Sequence, residues 1–182
     1  MPLLAFTTSG IFSSRPGTTG VQGFFDQAPE ANAAASRFEA HVHGSARICV
    51  HPSTPPYPVE DTFPEYYLPG VHGGIGCTLS IWRTIEAVFS YAYSGPHALA
   101  SAHRREWCIK GDRPAYAAWW MNDEDAPTSA EASARLDHLH GNGSTPFAFN
   151  FKSPYDATGK ATTVDRDLAT QLIDAAQLRN RT

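Results

Sequence analysis

Apolar and polar positions along the chain alternate between two periods, and the switches mark out its elements. From Leu3 to Phe12 the residues Leu4, Phe6, Thr8 and Phe12 share one parity, which predicts a first strand. Ser13 to Gly20, with Pro16-Gly17, reads as a turn-rich connection. The period then lengthens: Val21, Phe24, Phe25, Ala28, Ala31, Ala34, Ala35 and Phe38 fall at helical spacing. Pro29 interrupts them and either kinks the helix or opens a second segment. His41 to His51 predicts a second strand, with Gly44 as the place for a bulge.

Residues 52–76 are dense in proline and glycine, and no period survives there. A loop of that length in a compact domain commonly serves as a lid or binding loop, the other reading being an insertion without a role. Phe63 and Tyr67 are its candidates for closing over an apolar ligand. Cys77 to Trp82 predicts a third strand, followed by a helix from about Thr84 to Tyr91. Ser94-Gly95-Pro96 breaks that helix, and Ser94 is placed to cap a second one. Ala115 to Met121 predicts a fourth strand with Tyr116, Ala118 and Trp120 on one face. Thr128 and Glu131 form a capping box for a helix ending near His140, Thr145 to Phe151 alternates as a last short strand, and residues 164–178 predict an amphipathic tail helix.

This order is that of an α+β protein with the ferredoxin-like split βαβ pattern, extended at its C-terminus by helix, strand and helix. Residues 1–151 are expected to form one domain, with a linker and helix over 152–182. A four-stranded antiparallel sheet covered by helices on one side leaves its other face bare, which predicts pairing of two copies into a homodimeric α/β barrel.

Composition narrows the class. A chain of 182 residues with 42% hydrophobic and 12% aromatic content is expected to fold as a packed globule. Its formal charge of -4 gives no basic footprint for nucleic acid or an anionic membrane, so the expected partner is a small apolar metabolite. The first residues carry no basic segment and too short an apolar run for a signal or a span, which predicts a cytoplasmic protein. Cys49, Cys77 and Cys108 are odd in number and widely spaced, and suggest neither a disulfide framework nor zinc.

Candidate chemistry concentrates between Ser80 and Trp107. His97, Ser101, Arg104 and Cys108 follow at spacings of four, three and four, which puts them on one helical stripe. Near a helix N-terminus the dipole disfavours an imidazolium, so His97 is suited to be a neutral base. Arg104 can stabilise developing negative charge, or with Arg105 bridge to Glu86 or Glu106. Trp82, Tyr93, His103, Trp107, Tyr116 and Trp120 are candidate walls for a flat apolar ligand, and core packing is the competing use of the same residues. His41, His43 and His51 share a parity, but no carboxylate follows at metal-ligand spacing, and no metal is expected. Gly-rich phosphate motifs and nucleophile elbows are absent from the sequence.

Leu79-Ser-Ile-Trp82, His97 with Arg104-Arg-Glu-Trp107, Ala118-Trp-Trp120, Pro127-Thr128 with Glu131 and Ala134-Arg-Leu136, and Thr145-Pro146 with Ala148-Phe149 together resemble an uncharacterised family, a domain of unknown function, within the dimeric α/β-barrel superfamily. The resemblance covers residues 78–151 and implies mainly the fold. The superfamily includes cofactor-free monooxygenases, polyketide cyclases and dehydratases, lactone isomerases and haem proteins, and the fold does not choose among them. The expectation is an enzyme of secondary metabolism, an isomerase, cyclase or dehydratase without a cofactor, with His97 carrying the proton and Arg104 stabilising charge. Its alternatives are a cofactor-free monooxygenase, a haem enzyme with iron on His97 or His103, and a non-catalytic ligand-binding protein.

Overall fold

Four strands, β1 (Leu3–Ile11), β2 (His41–Cys49), β3 (Ile75–Trp82) and β4 (Tyr116–Met121), form one antiparallel sheet in the order β2-β3-β1-β4 in a computed structural model that describes residues 1–49 and 62–179. Helix α1 (Thr19–Ala33) joins β1 to β2, and α2 (Ile85–Ala92) with α3 (Gly95–Trp107) joins β3 to β4, which is the ferredoxin-like arrangement. Two helices follow, α4 (Ser129–Asn142) and α5 (Arg166–Arg179).

Strand parity assigns the two faces of the sheet. Leu4, Phe6, Thr8 and Gly10 of β1 lie opposite Trp82, Ser80, Thr78 and Gly76 of β3, and this row faces α1, α2 and α3. Leu4, Phe6 and Trp82 pack there with Val88 and Phe89 of α2, all almost free of solvent. The same cluster takes in Ala169 and Ala176 of α5, and Ser90 Oγ donates to the Ala169 carbonyl at 2.9 Å. The tail helix is thus built into the core along α2, its alanines letting the two helices approach closely.

The opposite face is not bare. Ala132 of α4 packs on Ala5 and Trp119, and Leu136 and Leu139 pack on Ala117. Farther along, Phe63, Tyr66 and Tyr67 cover Ile11 and Ile75. The expected reason for a partner sheet, an uncovered second face, therefore does not hold over β1 and β4, where a helix of the same chain lies.

Several local expectations are corrected. Helix α1 runs through Pro29 to Ala33 and gives way to a 3-10 turn over Ala34–Arg37, so the proline lies inside one helix and starts no second segment. The register shift in β2 falls between His41 and His43, not at Gly44. It puts His41 opposite Trp82 and His43 opposite Ile81, so the two imidazoles share no face. Residues 145–151 make one bridge pair, Ala118 with Phe149, rather than a strand. Thr128 caps α4 as expected, accepting from Glu131 N at 3.1 Å, but the Glu131 carboxylate turns to Arg135 instead of back to the cap. Ser94 stands at the start of α3, yet its hydroxyl donates backward to the Ser90 carbonyl at 2.6 Å. The loop expected over 52–76 is described only from residue 62, and its earlier part, like His51, lies outside the described residues. No described helix is long and apolar enough to cross a membrane.

Candidate active site

Between the sheet and the helices lies a cavity of about 360 Å³. Phe6, Thr8 and Gly10 of β1, Gly76 and Thr78 of β3 and Tyr116 of β4 form its floor. Ala28, Ala31 and Asn32 of α1 form one wall, and His97, Ser101, Arg104 and Trp107 of α3 form the other. Small residues make the room. A Cβ on Gly76 would stand 3.1 Å from both Phe12 and Phe24, so those rings would have to shift to admit a larger residue beside the cavity. The helices approach by the same means at Gly23, where a Cβ would meet Trp107 Nε1 at 2.9 Å.

The stripe read from the sequence is the α3 wall. His97, Ser101, Arg104 and Cys108 all line the cavity. His97 Nδ1 lies 3.0 Å from the Ala92 carbonyl oxygen, which can only accept, so this nitrogen carries the hydrogen. The carbonyl is one of those that the last turn of α2 leaves without an amide partner. Nε2 therefore holds the lone pair, and no described group bonds it. Burial lowers the His97 pKa from its ordinary value, only partly opposed by the Ala92 bond, which keeps the ring neutral. The ring packs on Tyr91, with centroids 4.5 Å apart.

Tyr116 lines the same cavity from the floor. Its oxygen accepts from Phe151 N at 3.3 Å and lies 3.4 Å from the Tyr93 hydroxyl, leaving its own hydrogen for Tyr93 or a ligand. Burial pushes the Tyr116 phenol well above its usual range, so it remains a donor. Tyr93 is 54% exposed and stands at the mouth. Arg104 spends one nitrogen on the Ser9 carbonyl, at 2.7 Å, and has no carboxylate partner among the described residues, so the expected bridge to Glu86 or Glu106 does not form. Cys108 is buried and its thiol is pushed up by desolvation, which suits a wall and not a nucleophile.

Other candidate residues lie elsewhere. Trp82 is fully buried beneath Phe38 and Tyr91, with its indole donating to Ser80 Oγ at 2.8 Å. Trp120 donates to the Tyr155 carbonyl at 2.7 Å and braces the C-terminal segment. His103 is exposed, paired with Glu106 at 2.9 Å and stacked on the far side of Trp107. Phe63 and Tyr67 pack on the opposite face of the sheet, so they do not close over this cavity. Asn32 was not foreseen: its half-buried amide has no described partner and faces the cavity from α1. One polar residue in an alanine-rich helix face is the sequence signal that could have found it.

Of the two histidines read as haem ligands, only His97 lines the cavity. A carbonyl-anchored Nδ1 is the usual second partner of a metal-binding imidazole, so His97 fits that use as well as a base. Among the described residues no three His, Cys, Asp or Glu side chains gather to hold a metal ion.

Comparison with solved structures finds distant likenesses. SnoaB, a cofactor-independent oxygenase from Streptomyces nogalater, is 8% identical, with a TM-score of 0.41 over 69% of this chain and 97% of that one. A conserved protein of unknown function from Bacteroides thetaiotaomicron, described as a possible oxidoreductase, is 8% identical, with a TM-score of 0.37 over 66% of this chain and 95% of that one. No curated protein sequence matches. Residues 3–165 match the family described as Domain of unknown function (DUF3291), and the chain belongs to that family.

Proposed function

We propose that the protein is a small-molecule enzyme that abstracts and returns a proton on an apolar, ring-sized substrate, without a cofactor. The carrying observation is the His97 ring, which lines the cavity: Nδ1 is fixed on the Ala92 carbonyl, which leaves Nε2 neutral and with no described partner. In this reading Nε2 takes a proton from an acidic C–H of the substrate, and the electron pair moves onto a neighbouring carbonyl oxygen. The Tyr116 phenol and the Arg104 guanidinium then stabilise that oxygen, and Asn32 orients the substrate from the other wall. The imidazolium returns the proton at a different carbon in an isomerase or cyclase, or to a departing hydroxyl in a dehydratase.

The step can be tested without knowing the natural substrate. 2-Tetralone is flat, apolar and exchanges its acidic C–H hydrogens in D2O, which NMR follows directly. The protein is expected to speed that exchange by about 10²-fold or more over buffer, and His97→Gln to lose the acceleration. Exchange no faster than buffer, or undiminished in His97→Gln, would overturn the proposal.

A second reading uses the same first step. The cavity wall is largely apolar, with Phe24, Ala28, Ala31 and Trp107, and such a wall admits dioxygen to a carbanion formed there. Oxygen uptake that accompanies exchange, measured with an electrode, would favour cofactor-free oxygenation over isomerisation.

A further inference from the structure

Beyond the Arg104 wall lies a second cavity of about 300 Å³, of opposite character. It is bounded by Arg104 and Arg105 of α3, by Lys110 and Arg113 of the turn leading to β4, and by Tyr66. The two cavities share Ser9, Ser101, Arg104 and Cys108 as walls, so Arg104 borders both. Among the described residues none of the four cations has a carboxylate within ion-pair distance, Asp112 in the same turn included.

Four unneutralised cations around one concavity repel each other, an arrangement that an anionic ligand relieves. Arg104 is the most constrained of them: Nη2 is held on the Ser9 carbonyl and the guanidinium lies against Cys108, which fixes the fork before any ligand arrives. The Tyr66 hydroxyl is buried on the same wall, close to Ser9 but without a hydrogen-bond partner in bonding geometry. Burial pushes its phenol up to about 12, so it meets an anion as a donor and not as a second negative charge.

We infer that the substrate is an apolar acid, with a ring-sized body in the larger cavity and a carboxylate held in the smaller one by Arg104, Arg105, Lys110 and Arg113. This deepens the reading of the larger cavity as a small-molecule site and rests on it. Placing the anionic end beyond Arg104 points the apolar body along the α3 wall toward His97, so the second cavity sets which carbon the base can reach. A neutral analogue of the same shape enters the larger cavity but lacks this anchor.

Two fluorescent probes of one ring system separate these statements. Quenching of tryptophan emission in the full chain is followed with 9-anthracenecarboxylate and with neutral 9-anthracenemethanol. The acid is expected to bind about tenfold or more tightly than the alcohol at low salt, as charge-assisted hydrogen bonds would give. That advantage is expected to shrink as salt rises and to vanish in Lys110→Glu/Arg113→Glu, which still binds the alcohol as the unmodified protein does. Arg105→Gln, on an exposed part of α3, is expected to cut the advantage several-fold and gives a second reading from a different element. Equal affinities in the unmodified protein, or an advantage that survives these substitutions, would overturn the anchor and leave the larger cavity's reading standing. Failure of both probes to bind the unmodified protein would overturn both.

Discussion

Gly10 of β1 and Cys108 at the end of α3 touch across the sheet–helix boundary: a Cβ added at Gly10 would stand 2.9 Å from Cys108 Sγ. Arg104 Nε lies 3.7 Å from the same point, so the bare backbone at Gly10 lets the arginine pass over the strand to the Ser9 carbonyl. Gly10→Ala is therefore expected to lower stability by about 1–3 kcal/mol through overpacking, measured by urea unfolding. In the double variant with Cys108→Ala the loss should be smaller than the sum of the single losses, because the clashing sulfur is gone. Additive losses would place the strain elsewhere.

His97 gives a pH dependence with a definite sign. Its folded pKa is depressed by burial, while in the unfolded chain it returns to the ordinary 6.5. The unfolded chain therefore binds the proton first, and stability is full above 6.5 and falls as pH drops from there toward the folded value. His41 and His72 are also lowered by burial and act in the same direction, so the measurement is a difference. Denaturant melts of the unmodified protein and of His97→Gln between pH 7.5 and 5 should converge as the pH falls. Parallel curves would show a solvated His97.

The proposed chemistry needs no haem. Adding haemin to the purified protein is expected to leave no sharp Soret band attributable to His97. A band that forms and is abolished by His97→Ala, but not by His103→Ala, would turn the free Nε2 into an iron ligand and replace the base assignment.

Helix α5 should prove structural. The one Ser90 hydroxyl hydrogen is shared between the Glu86 carbonyl of its own helix, at 2.7 Å, and the Ala169 carbonyl of α5, at 2.9 Å. Ser90→Ala removes that donor from the α2–α5 contact and is expected to cost about 0.5–1.5 kcal/mol, read as a lowered thermal midpoint. An unchanged midpoint would mean that α5 contributes little to the main core.

Much of this was legible in the sequence. Period switches give the strand and helix order, and that order gives the ferredoxin-like sheet. Spacing alone puts His97, Ser101, Arg104 and Cys108 on one stripe, because a helical face is a local property. What the stripe faces is not local: its opposite wall, with Asn32, and its glycine floor at Gly10 and Gly76 come from segments far away in the chain. Trp82 and Trp120 show the limit from the other side. Their size marks them for burial, but a buried indole serves a core as well as a binding wall, and only the packing partners tell the two apart. The shift between His41 and His43 was hidden because a bulge changes parity without needing a glycine.

The partner that aims the candidate base is main chain. In many acid–base sites a carboxylate orients the histidine, and one substitution there disarms it. Here the Ala92 carbonyl does that work, and any residue small enough for this buried position would supply the same oxygen. The aim of Nε2 is thus insulated from point mutation at its orienting residue and depends on the bend between α2 and α3. Deleting or inserting a residue at Ser94 or Gly95 would redirect the imidazole, and so would a larger residue at Gly95, whose φ of 53° disfavours a side chain. The vulnerable quantity in this site is chain length at the bend between α2 and α3.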